Sequence, residues 1–341
     1  MSIISFINNI NTTILEIKKK ILITGESGFI GSHVITHFCK TYPTYDIHGL
    51  DSLTYASDKE NTDWLLEKPN YNFHKVDIRD RGSILELFDK ERFTDVIHLA
   101  AESHVDNSIE NPLIFAETNV LGTLNLLDAF RKYSKGRFHH VSTDEVYGDL
   151  SMEDPAFQET TPYDPSSPYS ASKAASDHFV RAYHRTFGLD ITITNCSNNY
   201  GPHQHSEKFI PTVIRSIMDN QKIPIYGEGK NVRDWLYVED HANAIDTVFH
   251  KGVSGETYNV GGNCEMTNID IVYTICEIML EKKLHKNPLQ LVSFVKDRAG
   301  HDFRYAIDPT KLYEELNWKA DKNMFRVYLA KTINWYSQIY K

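Results

Sequence analysis

Residues 19–31 read KKILITGESGFIG, a short β-branched run that passes directly into three glycines. Gly25, Gly28 and Gly31 stand in a G-x-x-G-x-x-G spacing, and residues 33–42, HVITHFCKTY, continue with helical spacing. Glycines let a backbone turn tightly and approach a pyrophosphate, and the start of the following helix offers free amides to phosphates. The stretch therefore predicts a strand, a phosphate-binding turn and a helix.

The alternation of strand and helix continues to about residue 200. Apolar runs predict five more strands at 45–51, 72–78, 94–101, 137–148 and 190–201, and helical patterns occupy 113–133 and 167–188. Strands that alternate with helices imply parallel crossovers, so we expect an α/β fold with a Rossmann-like, doubly wound parallel sheet. Beyond residue 201 the pattern loosens, which favours a smaller C-terminal substrate-binding lobe. The predicted division is 1–18 as an N-terminal extension, 19–200 as the dinucleotide-binding domain and 201–341 mainly as the substrate lobe, with segments around 233–250 returning to the first domain.

The composition is that of an ordinary globular protein with an acidic surface. The net charge of -10 argues against a general nucleic-acid binder, which would present a basic face. The four cysteines form no C-x-x-C pair, which predicts reduced thiols. No apolar run reaches membrane-spanning length, and the lysines at 18–20 follow the apolar part of the N-terminal segment, the reverse of a secretory signal. We expect a cytoplasmic protein with no membrane or nucleic-acid partner.

Two carboxylates follow the predicted strands of the first half. Asp51 ends the second strand, twenty residues beyond Gly31. A carboxylate there can accept both hydroxyls of a ribose and would repel a 2′-phosphate, which predicts NAD rather than NADP. Asp77 ends the third strand, where it could hold the adenine amine or simply be a solvated charge.

A tyrosine and a lysine lie on one face of the helix predicted at 167–188. Tyr169 and Lys173 form a Y-x-x-x-K motif, and positions i and i+4 of a helix are neighbours. A nearby ammonium favours the phenolate and lowers the pKa of the tyrosine, so Tyr169 is the predicted base for an alcohol that loses hydride. The lysine can also hold the nicotinamide ribose.

Strand five ends in Thr143, Asp144 and Glu145, at the edge of the sheet where ligands bind. Thr143 can hydrogen-bond a reacting sugar hydroxyl beside Tyr169. Two adjacent acids suit an elimination, in which one carboxylate removes a proton and the other, protonated, donates to a departing hydroxyl. The alternative is that both acids cap a turn or face solvent.

The histidine pairs of the chain predict no metal site. His139 with His140 and His203 with His205 lack a clear carboxylate or cysteine partner. They are interpreted as strand or loop residues rather than metal ligands.

Together these motifs resemble the extended short-chain dehydrogenase/reductase superfamily and, within it, the dTDP-glucose 4,6-dehydratases. The resemblance runs from Lys19 to about Trp318 and rests on the segments TGESGFIGS, DSLTYAS, LAAESHVD, STDEVYG, YSASKAASDH, SNNYGP, EKFIP, VRDWLYVEDH, YNVGG and DRAGHDFRYAID. It implies an NAD-dependent hydro-lyase that converts a nucleoside-diphosphate glucose to its 4-keto-6-deoxy derivative, a step of 6-deoxysugar or rhamnose biosynthesis. The implied course is oxidation at C4, loss of water across C5 and C6, and hydride return to C6, with NAD recycled in place.

The resemblance also implies roles for individual residues. Asp144 would be the general acid, Glu145 the C5 base and Tyr169 the C4-hydroxyl base, with Thr143 and Lys173 in support. The cofactor would contact the glycine turn and residues Phe29, Ile30, Asp51, Ser52, Leu53, Thr54, Asp77, Ile78, Leu99, Ala100, Ala101, Thr118 and Asn199. The nucleotide sugar would contact Ser103, Thr143, Asn198, Lys208, Phe209, Arg233, Asn268, Arg298 and His301. The family is usually a homodimer that pairs the helices near 112–131 and 168–187.

Several positions depart from the family pattern. Ser52 and Asn107 replace basic residues, Phe209 replaces a leucine, and the loop at 203–206 is unusual. These differences leave both dTDP-glucose and UDP-glucose open as the substrate. The competing interpretations are a nucleotide-sugar 4-epimerase, which would use the same tyrosine and NAD without elimination, and a non-catalytic NAD-binding scaffold.

Overall fold

A seven-stranded parallel sheet forms the centre of the molecule. The computed structural model describes residues 19–296 and 302–340. In this sheet the strand order is β10-β6-β5-β4-β1-β2-β3, and β1 (Lys20–Thr24) lies between β4 and β2. The remaining strands of the sheet are β2 (Asp46–Asp51), β3 (Tyr71–Lys75), β4 (Asp95–His98), β5 (Arg137–Thr143), β6 (Asp190–Cys196) and β10 (Thr257–Val260). The parallel order on both sides of β1 confirms the predicted Rossmann-like fold.

Helices cover both faces of this sheet and enclose separate apolar cores. One core lies under the helices Arg81–Glu91 and Thr123–Tyr133 and includes Phe88, Phe130 and Phe138. The other lies under the helices Phe29–Thr41 and Val238–Lys251 and includes Phe38 and Phe249. Burial on both faces explains why the strands are continuously apolar rather than alternating. The helices of this part are α1 (Phe29–Thr41), α2 (Arg81–Glu91), α3 (Val105–Glu110), α4 (Pro112–Phe115), α5 (Thr123–Tyr133), α6 (Pro168–Phe187) and α8 (Val238–Lys251).

Local signals set both ends of α6, the helix that carries Tyr169. Ser167 forms a capping box with Ser170, and Pro168 occupies the first helical position, where its missing N–H costs nothing. Gly188 ends the helix in the left-handed conformation, with φ of 67°. The helix predicted at 167–188 is therefore confirmed, with bounds one residue shorter at each end.

The C-terminal part adds two small sheets and a third core. β9 (Val232–Tyr237) pairs with β7 (Asn198–Tyr200), β11 (Glu265–Thr267) and β13 (Arg304–Tyr305), while β8 (Ile223–Tyr226) pairs with β12 (Val292–Val295). Their core lies among α7 (Phe209–Met218), α9 (Asn268–Glu281) and α11 (Phe325–Ile339), and α10 (Thr310–Leu316) packs near β10. Although they follow residue 201, α8 packs on α1 and β10 completes the large sheet.

Three elements differ in detail from the sequence-based expectation. The fifth strand ends at Thr143, and Asp144–Tyr147 form a 3₁₀ turn because the Thr143 hydroxyl accepts from the Glu145 amide. The predicted sixth strand divides at Ser197, where the chain leaves the large sheet and β7 joins β9. The predicted helix at 113–133 contains a π-helical segment, Ala116–Gly122, between α4 and α5.

A search of the described residues for a membrane-crossing helix finds none with the required length and apolar character.

Candidate active site

The glycine turn between β1 and α1 is closed too tightly for side chains. A Cβ at Gly31 would lie 1.9 Å from the carbonyl oxygen of Gly25, and a Cβ at Gly25 would lie 2.8 Å from the Cα of Ala100. Gly25 also has a φ of 72°, which a residue with a side chain adopts only with strain. The backbone of α1 therefore starts against β1 with its first amides open to the cleft, as a bound pyrophosphate requires.

Asp51 is buried at the end of β2 and is held in place by its own loop. Its carboxylate accepts from the Leu53 amide and the Ser57 hydroxyl, each at 2.7 Å, and from the Ser27 amide at 3.1 Å. These bonds tie the glycine turn to the loop after β2. A carboxylate has about four acceptor sites, so at least one stays available for a ribose hydroxyl.

Asp77, at the end of β3, is paired with Arg79. The Arg79 guanidinium donates to the carboxylate from Nε at 3.0 Å and from Nη2 at 2.6 Å, and these bonds lower the pKa of Asp77. Both side chains line the cleft. Any contact of Asp77 with an adenine would therefore be shared with the arginine, a partner that the sequence analysis did not identify.

Tyr169 and Lys173 point from α6 toward the end of β5. Both are buried, and the Lys173 ammonium donates to the carbonyl oxygen of Val141 at 2.8 Å. Burial raises the pKa of Tyr169 well above its usual value, and the negative charge of Glu145 acts in the same direction. Burial lowers the pKa of Lys173. The phenol is thus protonated in the described chain, and only added positive charge would bring its pKa toward neutrality.

Asp144 has the electrostatic character of a proton donor. Its side chain is 2% exposed, and one carboxyl oxygen, Oδ2, has no hydrogen-bond partner among the described residues. Burial, and then the charges of Glu145 and Asp234, raise the pKa of Asp144 well above its usual value. Glu145 is partly exposed and lines the same cleft. The two adjacent acids consequently occupy different environments, as an acid and a base working together require.

One cleft at the carboxyl ends of the strands brings most of the predicted site together. Its empty volume, including the open mouth, is about 1650 Å³. The predicted cofactor residues that line it are Gly25, Gly28, Phe29, Ile30, Gly31, Asp51, Ser52, Thr54, Asp77, Ile78, Leu99, Ala100, Ala101, Thr118, Tyr169, Lys173 and Asn199. The predicted catalytic and substrate residues that line it are Ser103, Thr143, Asp144, Glu145, Asn198 and Lys208.

Four predicted contacts lie outside the lining of this cleft. Leu53 contributes its backbone amide to Asp51, and Phe209 stacks on Trp235. Asn268 begins α9, where its amide donates to the Asn231 carbonyl. Arg233 is buried, donates to the carbonyls of Val232 and Asp302 at 2.7 and 2.9 Å, and lies over the Tyr305 ring. Arg298 and His301 fall outside the described residues.

The cleft also contains polar side chains that sequence reasoning missed. Besides Arg79 they are Ser57, Glu102, Ser142, Cys196, Ser197, Gln204, His205 and Glu207. Most of them sit one to three residues from a predicted site residue at a strand end, so a wider window around each strand end would have found them. Gln204 and His205 belong to the stretch at 203–206 that departs from the family pattern, whereas Glu207 begins the EKFIP segment.

The histidines interpreted as structural have protein partners within the core or the loop. His139 hydrogen-bonds Thr192 at 2.9 Å, and His140 lies 3.1 Å from Asp177. His203 bonds Ser32 at 3.1 Å, and His205 contacts the Tyr55 ring edge-on.

Comparison with known proteins identifies the family to which this chain belongs. The family model described as GDP-mannose 4,6 dehydratase matches residues 22–329. The dTDP-glucose 4,6-dehydratase of Salmonella typhimurium is 49% identical over 336 residues, which cover 93% of this chain and 92% of that protein.

Solved structures are similar over the same length. DesIV, the dTDP-glucose 4,6-dehydratase from Streptomyces venezuelae solved with NAD bound, is 41% identical, with a TM-score of 0.86 and coverage of 94% of this chain and 97% of that chain. The UDP-glucose 4-epimerase from Thermotoga maritima has a TM-score of 0.85 but only 28% identity, covering 94% and 100% of the two chains. The chain therefore belongs to the GDP-mannose 4,6 dehydratase family, among its dTDP-glucose 4,6-dehydratase members.

Proposed function

We propose that this chain is an NAD-dependent dTDP-glucose 4,6-dehydratase, a hydro-lyase whose product is the 4-keto-6-deoxy sugar nucleotide. The observation that carries the proposal is the pair of acids at the end of β5. Asp144 is buried with a raised pKa, Glu145 is partly exposed beside it, and both line the cleft that contains Tyr169. An epimerase needs the tyrosine alone, whereas an elimination needs an additional acid and base.

The chain's own residues fit NAD at the glycine end of the cleft. Gly25, Gly28 and Gly31 leave the space and the amides that a pyrophosphate requires, and Asp51 would hold the adenosine ribose. Lys173 would hold the nicotinamide ribose. When bound, NAD supplies the reversible redox chemistry that oxidises C4 of the sugar and later reduces C6.

Tyr169 is the proposed base for the C4 hydroxyl. In the loaded site the Lys173 ammonium would stabilise the ionised phenol, whose oxygen then takes the hydroxyl proton and becomes neutral. Thr143 orients the hydroxyl by a hydrogen bond. Because burial alone opposes ionisation of the phenol, positive charge in the loaded site is essential for this step.

The elimination is divided between the two acids. Glu145 removes the C5 proton, which the C4 ketone has made acidic. Asp144 donates its proton to the departing C6 hydroxyl, so that water is the leaving group. Burial raises the pKa of Asp144 well above its usual value, which favours the protonated form that this step needs.

The choice of thymidine nucleotide rests on the relatives. Proteins named dTDP-glucose 4,6-dehydratase are 48–49% identical to this chain over more than nine-tenths of its length. The test is a side-by-side rate comparison of dTDP-glucose and UDP-glucose, with the product identified by mass. We expect loss of 18 mass units and faster turnover of dTDP-glucose. Recovery of only the galactose epimer would overturn the dehydratase, and bound NAD without turnover would indicate a non-catalytic scaffold.

The domain roles, oligomeric state and cellular location of the enzyme are also proposed here. We propose that residues 19–200 mainly bind NAD and that 201–341 mainly bind the nucleotide sugar. We propose a homodimer, supported by apolar side chains exposed on α4, the π segment and α6, namely Leu113, Leu121, Phe179 and Phe187. We also propose that the enzyme acts in the cytoplasm, in 6-deoxysugar or rhamnose biosynthesis, and its four free cysteines are typical of a reducing compartment.

A further inference from the structure

Asp177 is a carboxylate with no exposure to solvent, placed behind the active site on α6. It follows Tyr169 and Lys173 by two turns and one turn of the same helix face. Its Oδ2 accepts from the Ser142 hydroxyl and from the Tyr163 hydroxyl, each at 2.9 Å. The mechanism proposed above does not use this residue.

These two hydrogen bonds do not by themselves explain why a charged carboxylate, rather than a neutral acceptor, is buried at this position. The carbonyl oxygen of an asparagine could accept both, whereas burying a carboxylate costs several kcal/mol unless opposite charge offsets it. Nevertheless, the pKa of Asp177 is lowered, because its contact with His140, and then the positive charges of Lys173 and Arg181, outweigh the effect of burial. A buried carboxylate that stays ionised acts most strongly on a cationic partner beside it.

His140 is not that partner at working pH. Its Nε2 lies 3.1 Å from Asp177 Oδ1, yet burial, and then the positive charge of Lys173, lower its pKa to about 4. A neutral imidazole cannot cancel the carboxylate. The remaining cations facing Asp177 are Lys173 and Arg181, both on α6.

Lys173 has the greater need of a counter-charge. Arg181 stays protonated in any protein environment and already donates to Tyr163 at 2.7 Å and Thr257 at 3.1 Å. Lys173 is buried, its one hydrogen bond goes to a neutral carbonyl, and the charge of Asp177 opposes the effect of its burial. The titratable groups around the pair are Tyr169, Lys173 and Arg181 from α6, His140 from β5, Cys196 from β6, His98 from β4 and Tyr163 from the loop before α6.

Lys173 and Asp177 hydrogen-bond the adjacent residues Val141 and Ser142 of β5, so their charged ends lie at the same stretch of that strand. We propose that Asp177 is a positioning residue of this enzyme, whose buried negative charge, one helical turn from Lys173, keeps the lysine protonated. The role in catalysis rests on the proposed function, whereas the effect on Lys173 does not. Asp177 acts through the lysine and does not touch the reacting atoms.

The direct test is an NMR titration of Lys173 in protein labelled at the lysine ¹³Cε. The resonance is assigned by its absence in Lys173→Met. In Asp177→Asn we expect the titration midpoint of Lys173 to fall by about 1 to 3 pH units, since an opposite charge at this range shifts a pKa by that amount. Ser142→Ala, the matched control, removes one hydrogen bond to Asp177 but keeps the carboxylate, and should leave the midpoint near that of wild type.

Other variants keep the test decisive. Asp177→Glu retains the negative charge, so the titration midpoint of Lys173 should stay close to that of wild type. If Asp177→Asn does not fold, Asp177→Ser, whose smaller side chain leaves room for a water beside Ser142 and Tyr163, makes the same comparison. A midpoint unchanged in the folded neutral variant would overturn the proposal and assign Asp177 to Arg181 or to packing.

A second measurement connects the charge to the reaction. Formation of NADH from dTDP-glucose in a single turnover requires protonated Lys173, so the rate of NADH formation should fall as rising pH deprotonates the lysine. In Asp177→Asn this fall should occur at a pH about 1 to 3 units lower than in wild type, which is the size of the lysine shift. Asp177→Glu should restore the profile, and a merely structural role would lower the rate without moving it. Lack of turnover in wild type would refute the proposed function, while the NMR titration would still decide the role of Asp177.

Discussion

At the scale of single residues, the chemistry depends on two neighbouring carboxyl groups with different surroundings. Asp144 is enclosed, with one oxygen lacking a partner among the described residues, and Glu145 lies at the cleft surface. Two identical functional groups can then hold a proton and accept one at the same pH. In the proposed mechanism, neither Asp144 nor Glu145 takes part in oxidation at C4.

Asp144→Asn should separate oxidation from elimination. Because the amide cannot donate the proton that the C6 hydroxyl needs, turnover should fall by about 10²- to 10⁴-fold. NADH formed by oxidation at C4 should then accumulate and absorb at its characteristic wavelength in stopped-flow measurements. Tyr169→Phe is the comparison, since it should abolish NADH formation itself; equal loss of NADH formation in both variants would contradict the assignment.

The same substitution should increase stability at alkaline pH. Burial raises the folded-state pKa of Asp144, so its contribution to stability is complete below the unfolded pKa and is lost as pH rises through the folded value. Asparagine removes that loss. We therefore expect the melting temperature of Asp144→Asn to equal or exceed that of wild type by a few degrees at pH 9, and to differ less at pH 5. A lower melting temperature at pH 9 would show that Asp144 is stabilised in its charged form.

At the scale of elements, the cofactor end of the cleft is made by the close approach of β1 to α1. The turn between them has no room for a methyl group at Gly31, because the Gly25 carbonyl occupies that space. In α6, by contrast, capping residues define the ends and the spacing of four residues aligns Tyr169, Lys173 and Asp177. Both arrangements are local in sequence.

Gly31→Ala should abolish or greatly weaken NAD retention. A Cβ 1.9 Å from the Gly25 oxygen forces the strand and helix apart and displaces the amides that receive the pyrophosphate. The NAD content of purified protein, released by denaturation and quantified by absorbance, measures the effect. Gly82→Ala in α2 is the control, because the nearest atom to its Cβ is 3.4 Å away and NAD content should not change. Full NAD occupancy in Gly31→Ala would refute the proposed role of this turn.

At the scale of the whole molecule, apolar side chains of the π segment and α6 are exposed where the proposed homodimer would bury them. Leu121 is 54% exposed although it lies on an element that packs against α6. Exposed apolar surface of this kind is a feature of protein interfaces.

Leu121→Glu should convert the proposed dimer to a monomer. A buried glutamate facing its symmetry mate would be repelled and desolvated, which costs several kcal/mol at a two-fold interface. Sedimentation velocity at micromolar concentration measures the mass. Val253→Glu, at a position with similar exposure outside those helices, should remain dimeric. A wild-type protein that sediments as a monomer would refute the dimer.

Much of the fold and part of the site were predictable because they depend on local patterns. Single strand–turn or helical segments contain the glycine spacing, Asp51 after β2 and the Tyr169–Lys173 spacing. The fold brings these features to one cleft. The division of the predicted sixth strand at Ser197 was not predictable, since the residues are β-forming throughout and only pairing with β9 separates them. Arg233 was assigned to substrate by resemblance; its guanidinium donates to backbone carbonyls and lies over the Tyr305 ring, and the assignment stays a prediction.

The sequence by itself determined the alternating sheet, the turn that receives a dinucleotide, and the identities of the tyrosine, lysine and paired acids. These follow from short-range backbone geometry and residue chemistry, which act within a few positions. The tertiary structure decided which of the two acids has its pKa raised by burial, that Asp177 is fully enclosed, and which side chains line the cleft. The reason is that burial and electrostatic environment sum over atoms from distant segments, such as Asp234 beside Asp144 and His140 beside Asp177.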